Sequence, residues 1–103
     1  MPYLHKKTFY ADIYSIVKEI PQGKVISYGE IARLAGWSQH SRMVGKAMSQ
    51  APTTLKLPCH RVVNSVGRTV PNWAEQRCLL EKEGVLFKAN GYVDMKKCAW
   101  KWE

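Results

Sequence analysis

Proline and glycine divide this chain into pieces too short for anything but small elements. Pro21 and Gly23 end the first apolar segment, Gly36 the second and Pro52 the third, while Gly84 and Gly91 break the C-terminal third. Proline withholds a backbone donor and fixes φ, and glycine admits the positive φ that turns need. The pieces must pack against one another to bury anything. At 103 residues the expectation is a single domain, residues 1–103, with a thin core. No apolar run approaches the roughly 18 residues that cross a bilayer.

The first piece is helical by its spacing. Phe9, Ile13, Ile16, Val17 and Ile20 make one apolar stripe, which predicts a helix from a Thr8 cap to about Ile20. Lys24 to Ile26 reads as a short extended piece. Ser27-Tyr28-Gly29-Glu30 is a capping-box pattern, with Ser27 as N-cap and Glu30 reaching back, and it opens a short helix that ends at Gly36. A third helix is expected from about His40 to Gln50. Two short helices joined by a glycine-bearing turn form a helix-turn-helix. On the second of them Met43, Val44, Ala47 and Met48 face inward. Arg42, Lys46 and Ser49 share another side, and Gly45 beside them lets a backbone come close. That face suits a nucleic-acid contact; a solvated Lys/Arg face is the plain alternative.

Leu55 to Pro58 reads as irregular, because Pro58 cannot donate to a ladder. Val62-Val63, a turn from Asn64 to Gly67, and Arg68 to Val70 read as a hairpin, which after a helix-turn-helix is a wing. Asn72 as cap and Glu75 in its box position mark a further helix, carrying an apolar face with Cys78, Leu79 and Leu80 and ending at Gly84. Asn90-Gly91 sets a second hairpin between Val85 and Asp94. The tail from Met95 to Glu103, with Trp100 and Trp102, is expected to pack back on the domain. The predicted class is α+β, mainly helical: a winged helix-turn-helix domain with small hairpins.

Charge and cysteine narrow the function classes. Sixteen Lys and Arg against eight Asp and Glu leave +8, which favours a polyanionic partner such as nucleic acid or an anionic membrane surface, with a merely soluble basic protein as the alternative. Met1 to Lys7 leads into an amphipathic helix rather than a signal-peptide core, so secretion is not expected. Cys59, Cys78 and Cys98 are odd in number and widely spaced, which suits neither a disulfide framework nor a metal knuckle. An intracellular, cytoplasmic setting is the simplest fit, with no metal and no cofactor.

The segment Pro58-Cys59-His60-Arg61 is where chemistry concentrates. A thiol is nucleophilic as thiolate, and a neighbouring base or positive field favours that form; Pro58 stiffens the approach and Arg61 adds positive field. Side chains of adjacent residues on an extended segment point apart, so a Cys–His pair is by itself weak. A buried structural cysteine beside a surface histidine is the commoner arrangement.

These residues resemble the O6-alkylguanine-DNA alkyltransferase family. The resemblance lies in Ile20-Pro21-Gln22-Gly23-Lys24-Val25-Ile26-Ser27-Tyr28-Gly29-Glu30-Ile31-Ala32, Arg42-Met43-Val44-Gly45-Lys46-Ala47-Met48, Pro58-Cys59-His60-Arg61-Val62-Val63 and Leu79-Leu80-Glu81-Lys82-Glu83-Gly84, in order across about residues 9 to 87. It implies a one-turnover repair protein whose helix-turn-helix enters the minor groove of double-stranded DNA and whose pocket receives a flipped O6-alkylguanine. Carried over, Cys59 is the alkyl acceptor and His60 the base, acting through a water. Glu83 orients His60, and Tyr28 donates a hydrogen bond or proton to the base. Arg42 fills the gap left in the duplex, with Gly45, Lys46, Ser49 and Arg61 as further DNA contacts. Backbone carbonyls near Cys59 and Val62 read the purine amine.

Three departures separate this chain from the repair enzymes. Ala51-Pro52 stands where the family has Asn-Pro, and the Arg68 to Ala74 loop is short and lacks the Tyr-Ser-Gly-Gly lid. The sequence shows no counterpart of the N-terminal domain of longer members. These traits resemble the alkyltransferase-like proteins, which bind alkylated DNA without repairing it and recruit nucleotide excision repair proteins, but usually carry Trp where Cys59 stands. The leading reading is therefore a monomeric methylated-DNA–protein-cysteine methyltransferase, and the alternative is a non-enzymatic lesion sensor. A winged-helix transcription factor, the third class, has no need of the Cys59-to-Val62 segment or Glu83.

Overall fold

The computed structural model describes residues 6–101. Helix α1 (Lys6–Lys18) buries Phe9, Ile13, Ile16 and Val17 along its stripe. It tightens at its end through Glu19 N–H to Ile16 O and Ile20 N–H to Val17 O. Thr8 lies inside the helix rather than capping it, because the helix already begins at Lys6. Gly23, at φ +87°, then turns the chain into strand β1 (Ile26–Ser27) and helix α2 (Tyr28–Leu34).

Ser27 caps α2 by accepting from Glu30 N–H at 3.1 Å. The other half of the expected box is missing, because the Glu30 carboxylate pairs with Arg33 one turn ahead instead. At the far end Gly36 has φ +85°. Trp37 N–H reaches Ala32 O at 2.8 Å and Gly36 N–H reaches Arg33 O at 3.0 Å, a Schellman motif that fixes the exit direction. His40 leads into α3 (Ser41–Ser49), whose Val44 and Ala47 are buried while Arg42, Lys46 and Ser49 are exposed. The helix-turn-helix is held to α1 by Tyr14, whose hydroxyl donates to Ala47 O at 2.8 Å.

Strand β2 (Val62–Val63) does not fold back on residues 68–70 as a wing. It pairs with β1 in parallel, Ile26 opposite Val62 and Ser27 opposite Val63. The turn itself forms, but Asn64 closes it: its side-chain oxygen accepts from Val66 N–H and Arg68 N–H, and its backbone N–H donates to Arg68 O. Burial explains the switch, since both valines are fully buried and a surface ribbon would expose one of them.

Helix α4 (Glu75–Lys82) starts at an Ala74 N-cap without a side-chain bond. Asn72 is not its cap but a left-handed turn residue, φ +66°. Cys78, expected on an apolar face, is exposed, and the inward face carries Gln76 and Leu80 instead. The second hairpin is present in reduced form, with Phe87 bridging Val93 and Lys88 N–H donating to Tyr92 O at 2.8 Å. Helix α5 (Met95–Cys98) follows. Val25 bridges Ala99 in parallel, and Trp100 N–H donates to Val25 O at 2.7 Å. Trp100 packs on the helical core; Trp102 lies outside the described residues. The domain is thus α+β and mainly helical. Among the described residues no helix is long and apolar enough to cross a membrane.

The small sheet divides two cores. Ile26 and Val62 face a cluster built on α1, α2 and α3, whereas Val25 and Val63 face Leu80, Val85, Val93 and Cys98, as the strand period of two requires. Gly67 locks the second core to the turn: at φ +89°, an added Cβ would lie 2.5 Å from Val93 O. Gly67→Ala is predicted to cost roughly 2–4 kcal/mol, from backbone strain plus a clash with main chain. Urea unfolding should show a lowered midpoint with an unchanged slope.

Candidate functional site

The segment around Cys59 is a pair of tight turns rather than an extended run. Pro58, at φ −77° and ψ 62°, is the centre of an inverse γ-turn, closed by Cys59 N–H to Leu57 O at 2.8 Å. Residues Cys59–Arg61 then form one 3-10 turn, with Arg61 N–H bonded to Pro58 O and Val62 N–H to Cys59 O. With about three residues per turn, successive side chains diverge by about 120°. Cys59 and His60 therefore leave the backbone in different directions. Among the described residues no hydrogen bond joins them.

His60 turns toward α4, where its Nε2 lies 2.9 Å from Glu83 Oε2. Glu83 also receives Arg61, through Nε to Oε1 at 2.9 Å and Nη2 to Oε2 at 2.6 Å. Arg61 Nη1 donates to Ile20 O at 2.8 Å. The Arg61 bonds, then burial working against them, and then the His60 bond bring the Glu83 carboxyl down to about 2 from an ordinary 4.5. An ionised Glu83 holds the proton of His60 on Nε2 and leaves Nδ1 as the acceptor nitrogen.

Arg61 is engaged inside the domain: its side chain is only 16% exposed and forks on Glu83, so its charge is matched by the carboxylate rather than left free beside Cys59. Burial pushes the Cys59 thiol above its usual value, a bond to its own backbone opposes this in part, and the protonated form is favoured at neutral pH. Burial and the neighbouring Cys59 also raise the Tyr28 hydroxyl. Cys59 contributes in the same direction to Tyr14, after burial and Tyr10. Two phenols are thus raised in part by the thiol, of which the sequence pointed only to Tyr28.

The carbonyls expected to read a purine are already partly engaged. Cys59 O accepts from Val62 N–H, and Val62 O accepts from Gln76 Nε2 at 3.0 Å, which leaves each one lone pair. Gln76 is the residue that sequence reasoning missed. Gln76, Leu80 and Glu83 lie at i, i+4 and i+7 on α4, so the spacing back from Glu83 could have found it. Arg42, Lys46 and Ser49 stand apart from this cluster on the open face of α3 with half-buried Gly45, and Ser49 Oγ bonds back to Lys46 O. A groove of about 870 Å3 between α1, α2 and Trp100 is not lined by Cys59, His60 or Glu83.

A thiol, an imidazole bonded to a carboxylate and a helix-turn-helix thus occupy one small domain, in an order that can be set against known proteins. Residues 8–85 match the family model described as the DNA-binding domain of 6-O-methylguanine DNA methyltransferase. The chain belongs to this family. Among its relatives is the DNA base-flipping protein of Vibrio parahaemolyticus, 38% identical over 95 residues, covering 89% of this chain and 95% of the relative. A methylated-DNA–protein-cysteine methyltransferase of Thermococcus sibiricus is 40% identical over 73 residues, 69% of this chain but 41% of that protein. The fold is similar to the crystal structure of S. pombe Atl1 in complex with damaged DNA containing O6-carboxymethylguanine, at TM-score 0.83 and 36% identity, covering 96% of this chain and 100% of that one.

The Glu83 cluster has a pH signature. Because its carboxyl titrates lower in the folded chain than in the unfolded one, its stabilisation is present above about pH 4.5 and disappears as pH falls toward about 2. The drop in that window should amount to roughly 2–3 kcal/mol. Glu83→Gln is predicted to destabilise the domain at neutral pH by a similar or larger amount, roughly 2–4 kcal/mol, by leaving the Arg61 guanidinium unpaired. The variant should also lose most of the acid-limb slope, which denaturant titrations across pH would read.

Proposed function

We propose that this domain binds double-stranded DNA, turns an O6-alkylguanine out of the helix and takes the alkyl group onto Cys59 in a single turnover. The observation that carries this reading is the His60–Glu83 hydrogen bond at 2.9 Å next to a half-buried thiol that burial keeps protonated. Such a thiol needs a base before it can attack. His60, held in one tautomer by Glu83, is the candidate base, acting through a water that bridges the diverging side chains.

In the proposed step the Cys59 proton passes toward His60. The sulfur forms a bond to the alkyl carbon, and the carbon–O6 bond breaks with its electron pair leaving on the guanine. Tyr28 is the candidate donor of the proton that the departing guanine takes up, and protonated His60 can return one to it. The product is a thioether, with no thiolate to regenerate, hence one turnover. Relatives support the DNA partner: one is named a DNA base-flipping protein, and Atl1 is crystallised with damaged DNA.

A second reading keeps the binding and drops the chemistry. It is favoured by the upward push on the Cys59 thiol, which among the described residues is opposed only by a backbone bond, and by the alkyltransferase-like name of the S. pombe relative, 44% identical over 82 residues. In that reading the domain marks the lesion for nucleotide excision repair proteins.

Intact mass after incubation with O6-methylguanine duplex separates the two. One added methyl per molecule, mapped to Cys59 and not to Cys78 or Cys98, is expected; an unmodified chain that still binds the lesion would place the domain among the sensors. On α3, Arg42→Ala should reduce flipping of the lesion, read by a 2-aminopurine beside it, more than Lys46→Ala does. Lys46→Ala should instead lower the salt slope of binding by about one, the loss of a phosphate contact. Equal effects in both assays would remove Arg42 from the interior of the duplex.

A further inference from the structure

Among the described residues Gln76 is the one polar side chain with no exposure at all. A buried amide is costly unless its donors and acceptor are matched, and here each partner lies on one of two segments. Nε2 donates to His60 O and to Val62 O, each at 3.0 Å, and Oε1 accepts from Val70 N–H at 2.6 Å. The first two partners belong to the acceptor turn and the residue just after it. The third belongs to the loop over residues 68–74.

Asn64 holds the start of that loop at Arg68 and the Gln76 backbone N–H holds its end at Trp73 O, while the Gln76 side chain holds its middle at Val70. The loop's outer side borders an open cleft of about 680 Å3, lined in part by Trp73 and Tyr92. A leucine would fill the same volume in α4, whose next inward turn is Leu80. What leucine lacks is a rigid planar group that holds a loop donor on one edge and two turn carbonyls on the other.

We propose that Gln76 is a positioning residue that couples the 68–74 loop to the acceptor turn. The proposal rests on the lesion-binding reading above. A flipped base pressing on the loop moves Val70, and the planar amide passes that movement to the carbonyls of His60 and Val62. Those carbonyls lie on either side of Arg61 and set the turn that begins at Cys59. Gln76 therefore tunes how the pocket accepts a flipped base, while contact with undamaged DNA, made by the open face of α3, does not involve it.

The test is discrimination, the ratio of affinities for O6-methylguanine duplex and unmodified duplex at one salt concentration. Gln76→Glu sets a carboxylate against two carbonyl oxygens at about pH 8, whereas at about pH 5.5 a buried carboxyl takes up a proton and donates one bond again. Relative to the parent at the same pH, the ratio should fall about tenfold at the higher pH, the scale of one unsatisfied buried polar group, and recover at the lower. Affinity for unmodified duplex should stay within about twofold throughout. Gln76→Met, of similar size but with no donor, should lose discrimination at both pH values.

Variants that fold and discriminate like the parent at both pH values would overturn the coupling, and so would losses that fall equally on damaged and undamaged DNA. If both variants fail to fold, Gln76 is a structural residue and the proposal fails. A parent chain that does not discriminate between the two duplexes would instead sink the lesion-binding reading itself.

Discussion

The ion cluster around Glu83 ties together three parts of the chain that no ladder connects. Arg61 forks on the carboxylate and reaches the carbonyl of Ile20, so the chain just past α1, the turn after Pro58 and the end of α4 meet at one partly buried charge pair. The geometry is bidentate, which is where arginine differs from lysine. Taking both ions from water is expensive, and the bonds to Ile20 O and His60 help to offset that cost by leaving few lone pairs and donors unused. The same carboxylate also fixes the tautomer of His60. The fold and the proposed chemistry thus draw on a single group, and a change at Glu83 acts on both.

The rest of the architecture serves to bring that cluster beside the helix-turn-helix. The parallel pairing of β1 and β2 sets Ser27 opposite Val63. Ser27 starts α2 at Tyr28, and β2 begins one residue after the turn that carries Cys59. Tyr28 and Cys59 are neighbours because two two-residue strands are in register. Tyr14, bound to Ala47 O, holds α3 to α1.

Much of this was legible in the sequence. The stripe of α1, the serine cap of α2, the glycine end at Gly36 and the polar face of α3 each follow from local rules, because each is decided within a turn or two of chain. The misreadings share one cause, which is competition from partners distant in sequence or from a neighbour not weighed. Val62 and Val63 alternate poorly and by local rules pair with the nearest extended piece, whereas burial on both faces draws them to β1. Arg61 looks like a free charge until Glu83, more than twenty residues on, is folded against it. Asn72 carries the composition of a cap but the φ of a turn. Gln76 shares the inward face of α4 with Leu80 and Glu83, but its role is not local, since its three partners come from two other segments.

The sheet also has a bearing on how the domain is made. Its central strand runs through Val25 to Ser27, with β2 on one side and Ala99 on the other, and Trp100 donates to Val25 O. A strand laid down early in synthesis thus waits for a neighbour encoded more than seventy residues later. Helices α1 to α3 can collapse on local contacts as they leave the ribosome, but Val25 keeps an unmatched edge until residues 98–100 have emerged. The sheet is completed only at that point, and a nascent chain stalled before Cys98 would present its central strand to whatever strand edge it met first.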